Sequence, residues 1–196
     1  MPGKKRIFKA IGYVLGVASL FLAYNIGNGS IPEVQDIGAN ERFSCALQPD
    51  IENGGQVWTV MYRNEQGIRP WLKMVHSLGE DYDTLTRCEL IAERLEKFRQ
   101  DGLIGLSYRS DPNTPQQAVI CAITRLDPTS CNLLVTLIPK ADGFDSLRKM
   151  TEALRDGETV EQRSGAKSAS NGNLSEVNLE NFLADDDRKV IGSLGK

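Results

Sequence analysis

The segment LTRCELIAERLEKFRQDG, residues 85–102, carries the strongest local signal in the chain. Thr86 and Glu89 stand in the S/T-x-x-E spacing of a capping box, and Leu85 and Leu90 are placed to form a hydrophobic staple across the same turn. Cys88, Ile91, Ala92, Leu95 and Phe98 recur at helical spacing, whereas Glu89, Glu93, Arg94, Glu96, Lys97 and Arg99 fall mostly on the opposite side. Gly102 ends the pattern, since glycine readily takes the left-handed conformation that closes a helix. The segment is therefore one long amphipathic helix whose buried stripe needs a sheet to cover it.

The sequence on both sides of this helix alternates with period two. Upstream, Phe43, Cys45 and Leu47 alternate with Arg42, Ser44 and Ala46, as in a strand with one buried face. Asn53, Gly54 and Gly55 supply turn chemistry, a second strand follows at 57–62, and a third lies near 68–75 after a turn at 64–67. Pro70 makes that third strand start late or lie at an edge. Downstream, 103–108 reads as a strand and 110–115 (SDPNTP) as a loop, and 117–124 with 132–138 form a hairpin connected through 125–130. A short helix is expected over 146–154, capped by Asp145, with Leu147, Met150 and Leu154 on its inner side. The fold class is α+β: a mainly antiparallel sheet of about six strands, one long helix and a short C-terminal helix.

Four cysteines, Cys45, Cys88, Cys121 and Cys131, lie in these elements, with no C-x-x-C and no histidine cluster, so disulfides are favoured over zinc or a dithiol motif. Three pairings are open. Near-symmetric folding of the hairpin places Cys121 opposite Cys131, on the face of Val119, Ile123, Leu133, Val135 and Leu137. By elimination Cys45 then joins Cys88 and ties the helix to the first strand.

The ends read differently from the middle. Lys4, Lys5, Arg6 and Lys9 precede the apolar run 11–24 (IGYVLGVASLFLAY) and a polar stretch of small residues, the layout of a secretory signal. As a helix the run reaches only about 24 Å even when extended to Ile26, short of a hydrocarbon core of roughly 30 Å. Cleavage is expected after Gly27-Asn28-Gly29; an uncleaved anchor, the alternative, leaves the N-terminus cytoplasmic. Residues 1–30 are thus a signal peptide or anchor, 31–40 a connector, 41–155 the folded domain, and 156–196 a flexible polar and acidic tail. In that tail Val177, Leu179, Phe182 and Leu183 read as a solvated segment with nascent helix, and a docking peptide is the alternative.

Charge and motif content narrow the function. The net charge of -3 becomes about -7 beyond residue 30, without a basic stripe for phosphate, so nucleic acid is excluded as a partner. The single histidine, His76, has no nucleophile placed beside it and no G-x-S-x-G elbow exists, so no catalytic residue is expected. His76 with Glu80 and Asp81 is too sparse for a metal site, and Asp111 and Asn113 lack the glycine and glutamate of a calcium loop. No phosphate-cradling glycine motif occurs, and no cofactor or metal is expected. Trp58, Tyr62 and Trp71 are the candidate binding residues, with burial in the core as the competing reading.

Phe43-Ser44-Cys45, Pro70-Trp71, Arg87-Cys88, Val119-Ile120-Cys121 and Cys131-Asn132-Leu133-Leu134 with Thr136-Leu137 together resemble the circadian oscillating protein family of cyanobacteria, over residues 42–154. The resemblance implies a small exported protein of the envelope or thylakoid, in the periplasm or lumen, peripherally associated with membrane, and it supplies no catalytic residues. The expected function is a non-catalytic binding or scaffolding protein at the membrane surface, with a protein partner or the membrane itself as its target. Two alternatives are a thiol-disulfide protein using Cys121 and Cys131, and a binder of a small apolar ligand.

Overall fold

The computed structural model describes residues 40–111, 113–114, 116–161 and 176–193. The signal or anchor expected at 1–30 and the connector up to residue 39 lie outside the described residues. Among the described residues no helix is long and apolar enough to cross a membrane.

Six long strands form, as the alternation requires, but in two sheets rather than one. β1 (Phe43–Pro49), β2 (Gln56–Asn64) and β3 (Gly67–Lys73) make one antiparallel meander. The helix α1 (Thr84–Gln100) follows, and then β4 (Leu103–Ser110), β5 (Ala118–Thr124) and β6 (Asn132–Thr136) make the other. After α2 (Gly143–Asp156), a short β7 (Val160–Glu161) adds parallel to β3, and β8 (Glu176–Asn178) adds antiparallel to β4. The sheet orders are β1-β2-β3-β7 and β6-β5-β4-β8. Period-two patterning fixes which face of a strand is buried and leaves open which sheet the strand joins. Here the long helix between β3 and β4 divides the strands into two locally paired triplets.

Both triplets pack their inner faces on one core with α1 and α2, built on Val60, Leu95, Leu106, Ile120, Leu134 and Leu147. The buried stripe of α1 is Cys88, Ile91, Ala92, Leu95 and Phe98, joined by Arg87. Its start differs from the expected capping box: Asp83 is the N-cap, its side chain accepting from Thr86 N at 2.7 Å, and the helix begins at Thr84. A carboxylate cap that reaches the backbone first makes the Thr86–Glu89 exchange unnecessary. α2 likewise starts earlier than expected, from Asp142, whose side chain accepts from Asp145 N at 2.9 Å. Pro70 sits inside β3, opposite Met61 where the β2–β3 register shifts, which is where a strand tolerates a residue without an amide hydrogen.

The hairpin face also needs correction. A register shift between Ile120 and Cys121 places Leu133, and not Cys131, opposite Cys121 but Val135 opposite Ile120, so Val135 and Leu137 lie on the core face and not with Cys121. Ile120, Ala122, Leu134 and Val135 enter the core, and Leu133 is exposed on the outer face.

The expected flexible tail is the largest departure. Residues 162–175 lie outside the described residues, but the chain then returns as β8, a 3-10 turn (Glu180–Phe182) and α3 (Asp185–Ser193). Leu179, Leu183, Ala184 and Ile191 are buried. β8 approaches β4 so closely at Gly105 that a Cβ there would lie 2.7 Å from the Val177 carbonyl oxygen. Ala184 N donates to the Tyr62 hydroxyl at 2.8 Å, and Asp185 N donates to Glu65 Oε1 at 2.8 Å. Asp187, 4% exposed, pairs with Arg99 at 2.9 Å and Arg42 at 3.6 Å. Burial raises its carboxyl above the ordinary range, outweighing the two arginines that favour the charged form.

Candidate functional site

Two disulfides frame the domain. Cys45 on β1 is bonded to Cys88 in the first turns of α1, with Cα atoms 5.6 Å apart, and closes 43 residues of chain. Cys121 on β5 is bonded to Cys131 just before β6, with Cα atoms 5.0 Å apart, and closes 10. The first clamps the long helix onto the first sheet; the second pins the 125–130 loop onto the outer face of the second sheet. Arg109 Nη2 also ties that loop by donating to the Thr129 carbonyl at 3.2 Å.

The three candidate aromatic residues separate. Tyr62 and Trp71 are 1% and 2% exposed and belong to the core. Phe43 stacks on Tyr62 at 4.9 Å between centroids and tilts against Trp71 at 5.8 Å. Trp71 Nε1 donates to the Met150 carbonyl at 2.9 Å, anchoring α2 to β3. Burial pushes the Tyr62 hydroxyl up to about 12. Neither residue can line a groove, because each spends its polar atom on an internal backbone group.

Trp58 alone of the three reaches the surface. It is half-buried opposite Leu47 in the β1–β2 ladder, in an open groove of about 840 Å³ that runs between the β1–β2 turn and the exit of β3. Leu47, Val57, Trp58 and Met74 contribute its apolar wall; Asp50, Gln56, His76 and Glu161 contribute polar groups.

The rim near the turn is rigidly held. Asp50 accepts from the Glu52 and Asn53 amides and from Asn53 Nδ2, so its side chain organises the turn from within. Lys73 on β3 lies 3.2 Å from Asp50 Oδ1 and 3.3 Å from Glu161 Oε1 and links the turn to β7. The Asn53 side-chain bond, reinforced by Lys73, lowers the Asp50 carboxyl below its ordinary range. Burial pulls the Lys73 ammonium down, but its two carboxylate partners overbalance that and raise it. Within this turn Ile51 is 95% exposed.

His76 is exposed at the groove mouth, and its carbonyl accepts from the Arg87 guanidinium. Among the described residues no group of three or more His, Cys, Asp or Glu side chains is placed to hold a metal.

Residues 42–184 match the family described as circadian oscillating protein COP23. The chain belongs to that family. No curated protein and no solved structure matches it. The family match runs past α2 to Ala184, the residue whose amide meets Tyr62, and so takes in β8 and the 3-10 turn as well as all four cysteines. The COP23 domain accordingly extends through the returning segment and beyond the 42–154 span of the resemblance. Its two disulfides are those of a protein of an oxidising, exported environment.

Two arginines of α1 have partners that helical spacing does not show. Arg87 and Arg94 extend from α1 to β6, where Arg87 Nη2 donates to the Thr136 carbonyl at 3.2 Å and Arg94 Nη1 to the Leu134 carbonyl at 3.1 Å. β6 is an edge strand, and these guanidiniums occupy its outward carbonyls. Their seven-residue spacing, two turns along one helix side, was the available signal.

Proposed function

We propose that this COP23-family protein is a non-catalytic binding module that works outside the cytoplasm at a membrane surface, and that it engages a protein partner through the groove beside Trp58. The observation that carries the reading is the half-buried indole of Trp58 on the wall of the broad groove, next to a turn fixed by Asp50 and Lys73. A rigid rim with one partly exposed aromatic lets a partner bind without ordering the site first. The body is acidic, about -7 beyond residue 30, and the rim carries Asp50 and Glu161 against a single lysine, so the complementary partner segment is basic. The basic and apolar leading segment supports delivery to, or retention at, the membrane. Complete burial of Cys121 supports a structural rather than a redox role for the hairpin disulfide.

The test is affinity purification of the full chain from its native membranes, comparing the unaltered protein with Trp58→Ser and with Ile68→Ser, a change at an exposed residue outside the groove. The proposal expects a specific partner to be lost with Trp58→Ser and kept with Ile68→Ser. Identical recovery from both variants contradicts it.

A further inference from the structure

A second site lies on the other flank of α1, where the helix faces the free edge of β6. There a groove of about 120 Å³ is walled by Leu78, Tyr82, Leu90 and Leu133, with Arg87 and Arg94 across its floor. Tyr82 is 51% and Leu133 39% exposed, so the apolar walls open to solvent.

The polar groups here are unusual in kind. Arg94 is half-buried, uses one guanidinium hydrogen on the Leu134 carbonyl, and has no carboxylate within salt-bridge distance among the described residues. Of the acids that flank Tyr82 and Arg94 in sequence, Asp83 caps α1, and Glu80, Asp81 and Glu93 point no carboxylate to within salt-bridge distance of the Arg94 guanidinium among the described residues. The two outward carbonyls of β6 already accept from arginines. Leu137 N donates to the Ala118 carbonyl, so strand alternation turns the Thr136 amide toward the same free edge. The floor therefore offers N–H donors and positive charge, while its own acceptors are occupied. A guanidinium with unused, coplanar donors matches a carboxylate in a two-point contact.

We propose that this groove binds a small carboxylate bearing a short apolar group, with Arg94 as the counter-charge and Leu78, Tyr82, Leu90 and Leu133 around the apolar part. The volume sets the size, since a cavity of about 150 Å³ holds a benzene ring, and a group of roughly five to six carbon atoms fits here. This site is separate from the groove beside Trp58 and stands or falls independently of the function proposed for it.

Amide chemical-shift titration of the full chain with hexanoate tests the assignment, with 1-hexanol as the uncharged control. Hexanoate is expected to give saturable shifts at Leu133, Thr136 and Arg94, with hexanol at least tenfold weaker. Arg94→Gln should weaken hexanoate at least tenfold, and Arg94→Lys should recover part of the loss. Leu133→Glu, a surface change that places a negative charge on the rim, should weaken it at least tenfold whether or not Arg94→Gln folds. N-acetylleucine, titrated alongside, separates a peptide terminus from a free acid as the source of the carboxylate. Absence of saturable shifts at the groove, equal binding of hexanol, or undiminished binding by Leu133→Glu overturns the proposal.

Discussion

Replacing Tyr62 by Phe removes one oxygen atom and leaves nearly everything else in place. The ring keeps its stack on Phe43 at 4.9 Å between centroids, so the aromatic packing of the first sheet is preserved. What is lost is the acceptor for Ala184 N, 2.8 Å away at a fully buried position where water cannot substitute. A buried amide left without a partner costs about 1–3 kcal/mol. For a domain of this size each kcal/mol moves the thermal midpoint by about 3–4 °C, so the expected loss is about 3–12 °C. Urea unfolding of Tyr62→Phe beside the unaltered protein measures the free energy, and amide exchange at Ala184 locates it. An unchanged midpoint together with unchanged exchange at Ala184 would refute docking of the C-terminal segment on β2.

Breaking Cys45–Cys88 by paired alanine substitution releases a loop of 43 residues and should cost about 4 kcal/mol by loop-closure entropy, against about 2.7 kcal/mol for Cys121–Cys131 and its 10 residues. Urea unfolding of the two double variants checks the order, and a larger loss from the hairpin bridge contradicts it. Gly105→Ala should displace β8, read as faster amide exchange at Val177, because the new methyl group meets a carbonyl oxygen at 2.7 Å. Asp83→Ala should lower the urea midpoint whereas Glu89→Ala leaves it nearly unchanged, since Asp83 and not the capping-box pair holds the first turn. The pH dependence has opposite signs at its two ends. Tyr62 is raised to about 12, so its contribution is complete below pH 10 and is lost between about pH 10 and 12, roughly 2–3 kcal/mol in a urea series. The carboxyls of Asp83 and Asp127 are lowered, chiefly by the Thr86 amide and the Ser130 side chain respectively, so their contribution is present above pH 3.8 and disappears as pH falls through their lower folded values. Asp187 is raised, and its protonation favours the folded state as pH falls, partly offsetting that loss.

The elements with a local cause were legible in the sequence. The stripe of Cys88, Ile91, Leu95 and Phe98 specifies α1 by spacing alone, and the Cys121–Cys131 bridge was legible because a short hairpin loop keeps the two cysteines close, although the register sets Leu133 opposite Cys121. What escaped depends on contacts between distant segments. Leu179 and Leu183 look solvated beside Asp185, Asp186 and Asp187, because nothing near them shows that Arg42 and Arg99 wait across the fold for Asp187. A polar stretch before them reads as the end of folding, although a connector of that composition can join two parts of one domain. Of the candidate site, Trp58 was legible as an aromatic residue on a strand. Trp58 and Tyr62 share one face of β2, so the separation of Trp58 from Tyr62 and Trp71 required knowing which stretch of that face the returning chain and α2 cover. Helical spacing puts Arg94 on the solvent side of α1 and cannot reveal that an edge strand lies beside that flank.

Non-reducing peptide mapping of protein isolated from its native source, with free thiols blocked at lysis, bears most directly on a disulfide-braced exported domain. The expected result is two linked peptide pairs, Cys45 with Cys88 and Cys121 with Cys131, and no blocked cysteine. Recovery of all four cysteines in the blocked form, or of Cys45 joined to Cys121, would contradict it.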